Sequence, residues 1–275
     1  MNTNEGYISN PNFDSLTITT LDNEEHDWEE IISKMDNDDF YYGYLGKFAL
    51  SSSIIKTLLK SPKEYYKYIK EGGSEETQAL RDGKLFHWRI LEPHVFNAIN
   101  VIEVASKNSK AYKEAVKELG SVFLRKEVDN SISLADALTE NDEVKEYLTD
   151  AFFEVPQIQM IDGIPIRGKA DIIKGDSIID LKTTADISTF KYSARKYGYD
   201  LQAYLYLQLF PECNSFKFIC IDKKTKDIGI YECSQEFLDS GKEKLERGIR
   251  IFKDLFYQNT ETEKTLSQLV IKGTL

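Results

Sequence analysis

The sequence predicts an α/β fold in which a central mixed β-sheet is flanked by helices. Residues 152–184 are dense in Ile and Val and are interrupted by Asp162-Gly163 and Gly175-Asp176, two dipeptides typical of β-hairpin turns. The segments before and after this region show the three- and four-residue apolar spacing of helices. Because these helical segments precede, separate and follow the strands, we expect a single sheet wrapped by helices.

Composition predicts a soluble, cytoplasmic globular protein. The chain has 275 residues, 41% of them hydrophobic, which is enough for one sizeable core. No apolar run approaches the roughly 20 residues that span a bilayer, and the N-terminus lacks the basic start and apolar core of a secretion signal. Cys213, Cys220 and Cys233 lie far apart without CxxC spacing. We therefore expect reduced thiols instead of a disulfide framework or a structural zinc site.

The net charge of −11 is concentrated at the N-terminus. Residues 1–46 contain eleven acidic residues and one basic residue, Lys34, so the rest of the chain is close to neutral. The overall charge therefore does not exclude a nucleic-acid partner, whose phosphates need local Lys and Arg. We expect residues 1–46 to form a flexible, solvated arm and residues 47–275 a single domain. Alternatively, the arm shields a basic cleft or docks a partner.

Two helices are predicted in "ALSSSIIKTLLKSPKEYYKYIKEGG", residues 49–73. Ser53 can cap the first helix, and Ser61 followed by Pro62 suits the start of the second. Lysines recur at three- and four-residue spacing among tyrosines, which fits either a DNA-facing surface with stacking aromatics or a solvated helix face. The lysines are Lys56, Lys60, Lys63, Lys67 and Lys70.

The stretch "GKADIIKGDSIIDLKTT", residues 168–184, places charges inside an apolar hairpin. With a two-residue turn at Gly175-Asp176, paired residue numbers sum to 351, which sets Asp171 opposite Asp180 and Lys169 opposite Lys182. These four side chains then share one face with Ile173 and Ile178, while the other face carries Ala170, Ile172, Ile179 and Leu181. Opposed buried carboxylates destabilise a sheet unless a cation lies between them.

The residue types around this hairpin suit a divalent metal site. Asp171 and Asp180 offer the oxygen ligands that Mg²⁺ and Mn²⁺ prefer. Lys182, two residues from Asp180 on the same face, can orient or help deprotonate an attacking water and offset phosphate charge. By itself the D-x₈-D-x-K spacing is also compatible with charges exposed on a sheet edge.

Together with "YGYDLQAYLY" and the upstream helix "GKLFHWRILEP", these motifs resemble the PD-(D/E)XK nuclease superfamily. The resemblance extends to the phage and prophage recombination exonucleases of the RecE and lambda-exonuclease type and to the nuclease domain of RecB, over roughly residues 50–255. It implies a restriction-endonuclease-like core. Ala170 stands where the superfamily has its proline.

The resemblance also implies roles for individual residues. Asp171 and Asp180 become metal-binding carboxylates, Lys182 the catalytic lysine, and the Leu181 carbonyl and His87 further metal ligands. Gln202, with Tyr206, matches a Q-x-x-x-Y motif and would position the attacking water or DNA. Glu154 is a candidate additional acid, and Arg195 and Lys196 are candidate phosphate contacts. Taken alone, His87 would be an ordinary helix histidine, and Arg195 and Lys196 a solvated pair.

The implied activity is metal-dependent hydrolysis of DNA phosphodiesters with one or two Mg²⁺ or Mn²⁺ ions and no iron–sulfur cluster. The resemblance to recombination exonucleases implies 5′-to-3′ digestion of linear duplex DNA, a ring-shaped homo-oligomer, a single-strand annealing protein as partner and a phage or prophage origin. The absence of long apolar runs predicts no membrane partner. The alternatives are a structure-specific or restriction-type endonuclease and a catalytically silent DNA-binding protein with this fold. A third alternative is an acidic interaction protein organised by residues 1–46.

Overall fold

A mixed five-stranded sheet lies at the centre of the protein. The computed structural model describes residues 17–73, 76–259 and 261–270. Within these residues the sheet has five neighbouring strands in chain order, namely β5 (Phe152–Ile161), β6 (Ile164–Lys174), β7 (Ser177–Thr184), β8 (Ser215–Asp222) and β9 (Ile228–Glu232). Strands β7 and β8 are parallel, whereas the other neighbouring pairs are antiparallel. This arrangement confirms the predicted α/β fold with a mixed sheet.

Helices precede and follow the strands as expected. Two small sheets pair β1 (Thr17–Thr19) with β2 (Glu25–Asp27), and β3 (Asn100–Ile102) with β4 (Val122–Leu124). The helices before the central sheet are α1 (Trp28–Lys34), a π-helix (Asp39–Tyr44), α2 (Leu45–Phe48), α3 (Ser52–Lys60), α4 (Pro62–Glu71), α5 (Gln78–Leu91), α6 (Pro93–Asn97), α7 (Lys110–Leu119), α8 (Arg125–Thr139) and α9 (Asp142–Leu148). Those after β7 are a 3₁₀ turn (Ile187–Thr189), α10 (Phe190–Lys196), α11 (Tyr199–Leu209), α12 (Gln235–Leu255) and α13 (Thr262–Ser267).

Local sequence signals explain the hairpins and several helix ends. Ile161 pairs with Ile164 and Lys174 with Ser177, so both predicted two-residue turns form. Ser61 caps α4, with Pro62 at its first position, as predicted. Helix α3 is capped by Ser51 instead of Ser53, because the Ser51 hydroxyl accepts the Ile54 amide.

Two apolar layers cover the two faces of the central sheet. Ile173 and Ile178 pack with α3, α10, α11 and α12. Ile172, Ile179 and Leu181 pack on the other side with α5, α8 and α9. The alternation of side chains along β7 therefore divides the core as predicted.

Residues 17–46 are folded against the central sheet, which differs from the flexible arm expected from their charge. A buried cluster contains Trp28, Ile31, Met35 and Leu45 together with Ile158 of β5. Burial of these apolar side chains outweighs the acidic composition of the segment, whose charges remain at its surface. Residues 1–16 lie outside the described residues, and the domain boundary at residue 46 stays a prediction.

None of the described helices is both long enough and apolar enough to span a bilayer.

Candidate active site

Strands β6 and β7 separate where they carry their acidic residues. Their ladder includes Ile172–Ile179 but does not extend to the predicted Asp171–Asp180 and Lys169–Lys182 pairs. The Leu181 amide instead donates to Asp171 Oδ2 at 2.8 Å. Separation avoids opposing two carboxylates across the ladder, and it lets the Asp171 side chain satisfy a backbone donor of β7.

A matching irregularity lies on β5 beside Asp171. Glu154 has a φ of 50°, and it interrupts the β5–β6 ladder between the pairs Phe153–Ile172 and Val155–Ala170. Side-chain alternation shifts at this point, so Ala170 packs in the same core layer as Ile173 and not on the opposite face as predicted. A residue with positive φ inside a strand is strained, and such strain is common at functional sites.

His87 reaches this opening from α5, as the resemblance implied. Its Nε2 donates to the Leu181 carbonyl oxygen at 2.9 Å, and its Nδ1 lies 3.4 Å from Asp171 Oδ2. Phe86 beside it is fully buried in the apolar layer of Leu181, which fixes the position of α5 over β7. The histidine is thus part of the acidic site and not an isolated surface residue.

Three potential metal ligands converge here. One ligand atom each from His87, Glu154 and Asp171 lie within 4.8 Å of one another. Two carboxylate oxygens and an imidazole nitrogen form a donor set suited to a divalent cation such as Mg²⁺ or Mn²⁺. The side chains present therefore fit the metal that the fold family implies, with Glu154 in a more central position than the sequence predicted.

Asp180 is held by different partners. Gln202 Nε2 donates to Asp180 Oδ1 at 2.6 Å, and Lys182 Nζ forms an ion pair with Oδ2. Asp180 is almost fully buried, and within the part of the chain that the structure describes it lies outside the three-residue ligand group. Its role as a metal ligand remains a prediction, whereas its contacts orient Lys182 and Gln202.

Burial strongly affects the acidic groups. It raises the pKa of Asp171 to about 6, and the nearby His87 charge opposes this rise. Burial and the neighbouring Asp171 carboxylate raise the pKa of Glu154 well above its ordinary value. These shifts mean that ionising both carboxylates is costly here, and a bound divalent cation would offset that cost.

The lysines at the site differ in their electrostatic surroundings. Burial would lower the pKa of Lys182, but the Asp180 and Asp171 carboxylates outweigh it and raise the pKa. Burial and the Lys182 charge lower the pKa of Lys56 to about 8. Lys182 is therefore a cation at neutral pH, which favours a hydrogen-bond donor over a general base.

Tyr206 occupies a position that differs from the predicted DNA contact. Its side chain is buried, and its hydroxyl donates to the Lys169 carbonyl at 3.1 Å and accepts the Lys169 amide at 3.3 Å. Tyr206 lies four residues after Gln202, on the face of α11 that is directed towards the sheet. Tyr206 therefore anchors α11 to β6 and is not available at the surface for DNA.

Arg195 and Lys196 lie on the exposed surface of α10. Arg195 donates to Glu236 at 2.9 Å, and Lys196 Nζ lies 5.9 Å from the centre of the Tyr197 ring. Exposed ion pairs of this kind contribute little to stability, so Arg195 can exchange partners readily. Their predicted contact with phosphate is compatible with these positions and remains a prediction.

The lysine row on α3 and α4 divides into two parts. Lys60, Lys67 and Lys70 pair with exposed glutamates at 2.9, 3.7 and 3.1 Å, which supports the solvated-face interpretation for these positions. Lys56 instead lies beside the candidate site, with Nζ 5.8 Å from the Tyr199 ring. The three- and four-residue spacing of the lysines in the sequence could not distinguish Lys56 from the other lysines of the row.

Glu92, close to the site, was not predicted from sequence, and neither were the partners of Lys169. Glu92, just after α5, has its pKa raised by burial, and it also raises the pKa of Glu154. Lys169 Nζ lies 4.9 Å from the Tyr41 ring and 3.9 Å from Asp38. The folding of residues 17–46 against β5 brings these partners together, and no local sequence pattern indicates it.

Comparison with one solved structure supports the fold. A "Putative exonuclease" from Eubacterium rectale superposes with a TM-score of 0.61 at 16% identity, and the match covers 87% of this chain and 95% of that one. A phage related exonuclease from Haemophilus somnus 129PT matches with a TM-score of 0.31 at 16% identity, covering 75% and 94%. No match to a protein of curated function was found.

A family model extends over most of the chain and includes every site residue described above. It matches residues 51–265 and is described as a PDDEXK-like domain of unknown function (DUF3799). The predicted resemblance to the PD-(D/E)XK superfamily and its restriction-endonuclease-like fold is thereby confirmed. The chain belongs to this PDDEXK-like family.

Proposed function

We propose that this protein is a metal-dependent deoxyribonuclease, and that it acts as an exonuclease on the ends of linear duplex DNA. One observation carries the proposal, the convergence of His87, Glu154 and Asp171 within 4.8 Å beside the Asp180–Lys182 pair. Metal ligands next to a half-buried cation suit phosphodiester hydrolysis, because the reaction develops negative charge on a group that is already anionic.

His87, Glu154 and Asp171, with Asp180 and the Leu181 carbonyl as further candidates, would hold one or two Mg²⁺ or Mn²⁺ ions. Such an ion supplies Lewis-acid polarisation of the phosphate and makes a coordinated water more acidic. The chain's own residues orient the substrate.

Each of the remaining polar groups has a defined task in this proposal. Lys182 donates hydrogen bonds to the scissile phosphate or the attacking water, and it remains charged because of Asp180 and Asp171. Gln202 holds the Asp180 carboxylate at 2.6 Å and so fixes the direction of Lys182. Arg195 and Lys196 contact the DNA backbone from α10. Preorganised charge of this kind lowers the barrier without reorganisation during the reaction.

The finer assignment rests on the resemblance to recombination exonucleases. In this assignment the protein digests DNA 5′ to 3′ during phage-type recombination and repair, in the bacterial cytoplasm. It acts as a homo-oligomeric ring, and an annealing protein is its partner. An endonuclease of the same superfamily is the second candidate, since the same site chemistry can cleave within a strand. A silent DNA-binding protein is a weaker account of so complete a set of polar groups.

Digestion of linear duplex DNA labelled at its 5′ or 3′ end, beside a closed circle, tests the proposal. We expect Mg²⁺-dependent release of 5′-terminal nucleotides from the linear form, and no release with EDTA or with Lys182→Ala. Cutting of the circle would reassign the protein to the endonucleases. Failure to cleave either DNA in Mg²⁺ and in Mn²⁺ would contradict nuclease function.

A further inference from the structure

A pair of tyrosines beside the candidate active site has no role in the mechanism above. Tyr197 follows α10 and Tyr199 begins α11, and their ring centres are 6.0 Å apart. Tyr197 is 56% exposed although it is a large aromatic side chain. Aromatic rings beside a cationic groove are the surfaces on which bases of single-stranded nucleic acids stack.

This pair is connected directly to the site. Lys182 Nζ lies 5.1 Å from the centre of the Tyr199 ring, and Lys56 Nζ lies 5.8 Å from the same centre. Tyr197, Lys182 and Lys56 therefore all lie next to the same Tyr199 ring.

The turn between the two tyrosines requires glycine. Gly198 has a φ of 66°, and a Cβ there would lie 3.0 Å from Lys56 Cδ. The left-handed backbone lets Tyr199 contact the lysines while Tyr197 remains exposed. The α10–α11 connection thus determines the positions of both tyrosines.

We propose that Tyr197 stacks on an unpaired base of the bound DNA strand, next to the nucleotide whose phosphate is cleaved. This inference deepens the proposed function and rests on it. Aromatic side chains with interleaved cations bind single strands, because every base presents a π-face and every linkage a phosphate. Here Lys196 Nζ lies 5.9 Å from the Tyr197 ring, and Lys56 lies beside Tyr199.

The substrate requirement follows from the geometry of stacking. A base inside a duplex already stacks on its neighbours, so Tyr197 can receive a base only where the strand is frayed or single. The site would then select a locally opened DNA end over the interior of a duplex. The selection depends on the tyrosine ring and not on its hydroxyl.

Binding of a single-stranded oligonucleotide with a terminal 2-aminopurine tests this inference. The full chain is titrated in EDTA, where the proposed hydrolysis does not proceed, and 2-aminopurine fluorescence reports stacking. We expect Tyr197→Ala to weaken binding about tenfold and to abolish the fluorescence quench, and Tyr197→Phe to retain both. Tyr192→Ala is the matched control, because Tyr192 lies on α10, the helix that directly precedes Tyr197, and is 74% exposed.

The outcomes separate this inference from the nuclease assignment when DNA cleavage in Mg²⁺ is measured in parallel. Loss of the quench in Tyr197→Ala supports stacking whether or not the wild type cleaves. Wild-type affinity and quench in Tyr197→Ala, with cleavage retained, would overturn stacking alone. An equal loss in Tyr192→Ala would also overturn it, and a wild type that neither binds nor cleaves DNA would overturn both proposals.

Discussion

The two ends of the β6–β7 hairpin differ although they belong to the same pair of strands. Near the turn, Ile172–Ile179, Ile173–Ile178 and Lys174–Ser177 form a regular ladder. Beyond Ile172 the strands separate, and Asp171 accepts the Leu181 amide at 2.8 Å in place of a ladder bond.

The difference shows how charge overrides strand pairing. At the turn end, isoleucines bury apolar area on both faces, so pairing and packing stabilise the same arrangement. At the other end, a continued ladder would oppose two carboxylates in a low-dielectric interior. Separation creates the opening into which Glu154, His87 and Gln202 project. The hairpin is therefore regularly paired and stable at its turn end, and it carries the candidate catalytic side chains at its other end.

Replacing a lysine at each end should give the largest contrast. We expect Lys182→Ala to lower DNA cleavage about a thousandfold, since it removes a preorganised cation from the phosphate. Lys174→Ala, at the turn end, should leave cleavage per folded molecule nearly unchanged, because Lys174 donates to the Thr149 carbonyl at 2.8 Å and lies outside the site. Initial rates on end-labelled duplex DNA measure both. Equal losses would contradict the division of the hairpin.

Ile178→Ala should produce the opposite pattern. Ile178 is fully buried at the regular end, so removing its side chain should cost about 3 kcal/mol of unfolding free energy. Denaturant unfolding measures the loss, and cleavage by the remaining folded protein should be close to that of the wild type. A catalytic defect without loss of stability would show that the two ends are not independent.

The separated end should make stability depend on pH in the absence of metal. Because burial raises the pKa of Asp171 from 3.8 to about 6, its contribution to stability is complete below about pH 4 and is lost as the pH rises through 6. The loss amounts to about 2 to 3 kcal/mol, and Glu154 acts in the same direction.

Thermal unfolding in EDTA between pH 4 and pH 8 measures this effect. We expect Asp171→Asn to flatten the dependence of the melting temperature on pH. Adding Mg²⁺ to the wild-type protein at pH 8 should restore the stability that is lost in EDTA. A wild-type melting temperature that rises between pH 5 and pH 8 in EDTA would contradict this electrostatic interpretation of the opening.

The smallest expected effect concerns Gln202. Gln202→Ala leaves the buried Asp180 carboxylate without its 2.6 Å hydrogen bond, which should cost about 1 to 2 kcal/mol. Gln208→Ala, an exposed position on the same helix, is the control and should be close to neutral. Chemical denaturation of the two variants checks the difference, and similar values would show that the bond to Asp180 contributes little.

The sequence predicted the central sheet well because its signals are local. The turn dipeptides and the Ile-rich strands are recognisable from short spacing rules. Helix α8 has a weak sequence signal, because its sequence "RKEVDNSISLADALT" is rich in Ser, Asp and Asn, which disfavour helix interiors. Its buried positions Val128, Ser131, Ala135 and Leu138 do follow helical spacing, so the signal was present but weak. The composition of residues 17–46 indicated an arm, whereas packing on Ile158 made it part of the fold.

The sequence by itself determined which residue types meet in the hairpin and where it turns, because a two-residue turn fixes the nearby register. It also supplied the motif set by which His87, Asp171, Asp180, Lys182 and Gln202 were named. Only the tertiary structure decided that β6 and β7 separate, that Glu154 joins His87 and Asp171, and that Tyr206 is buried. The physical reason is that these outcomes depend on charge repulsion and burial between distant segments, which no local pattern records.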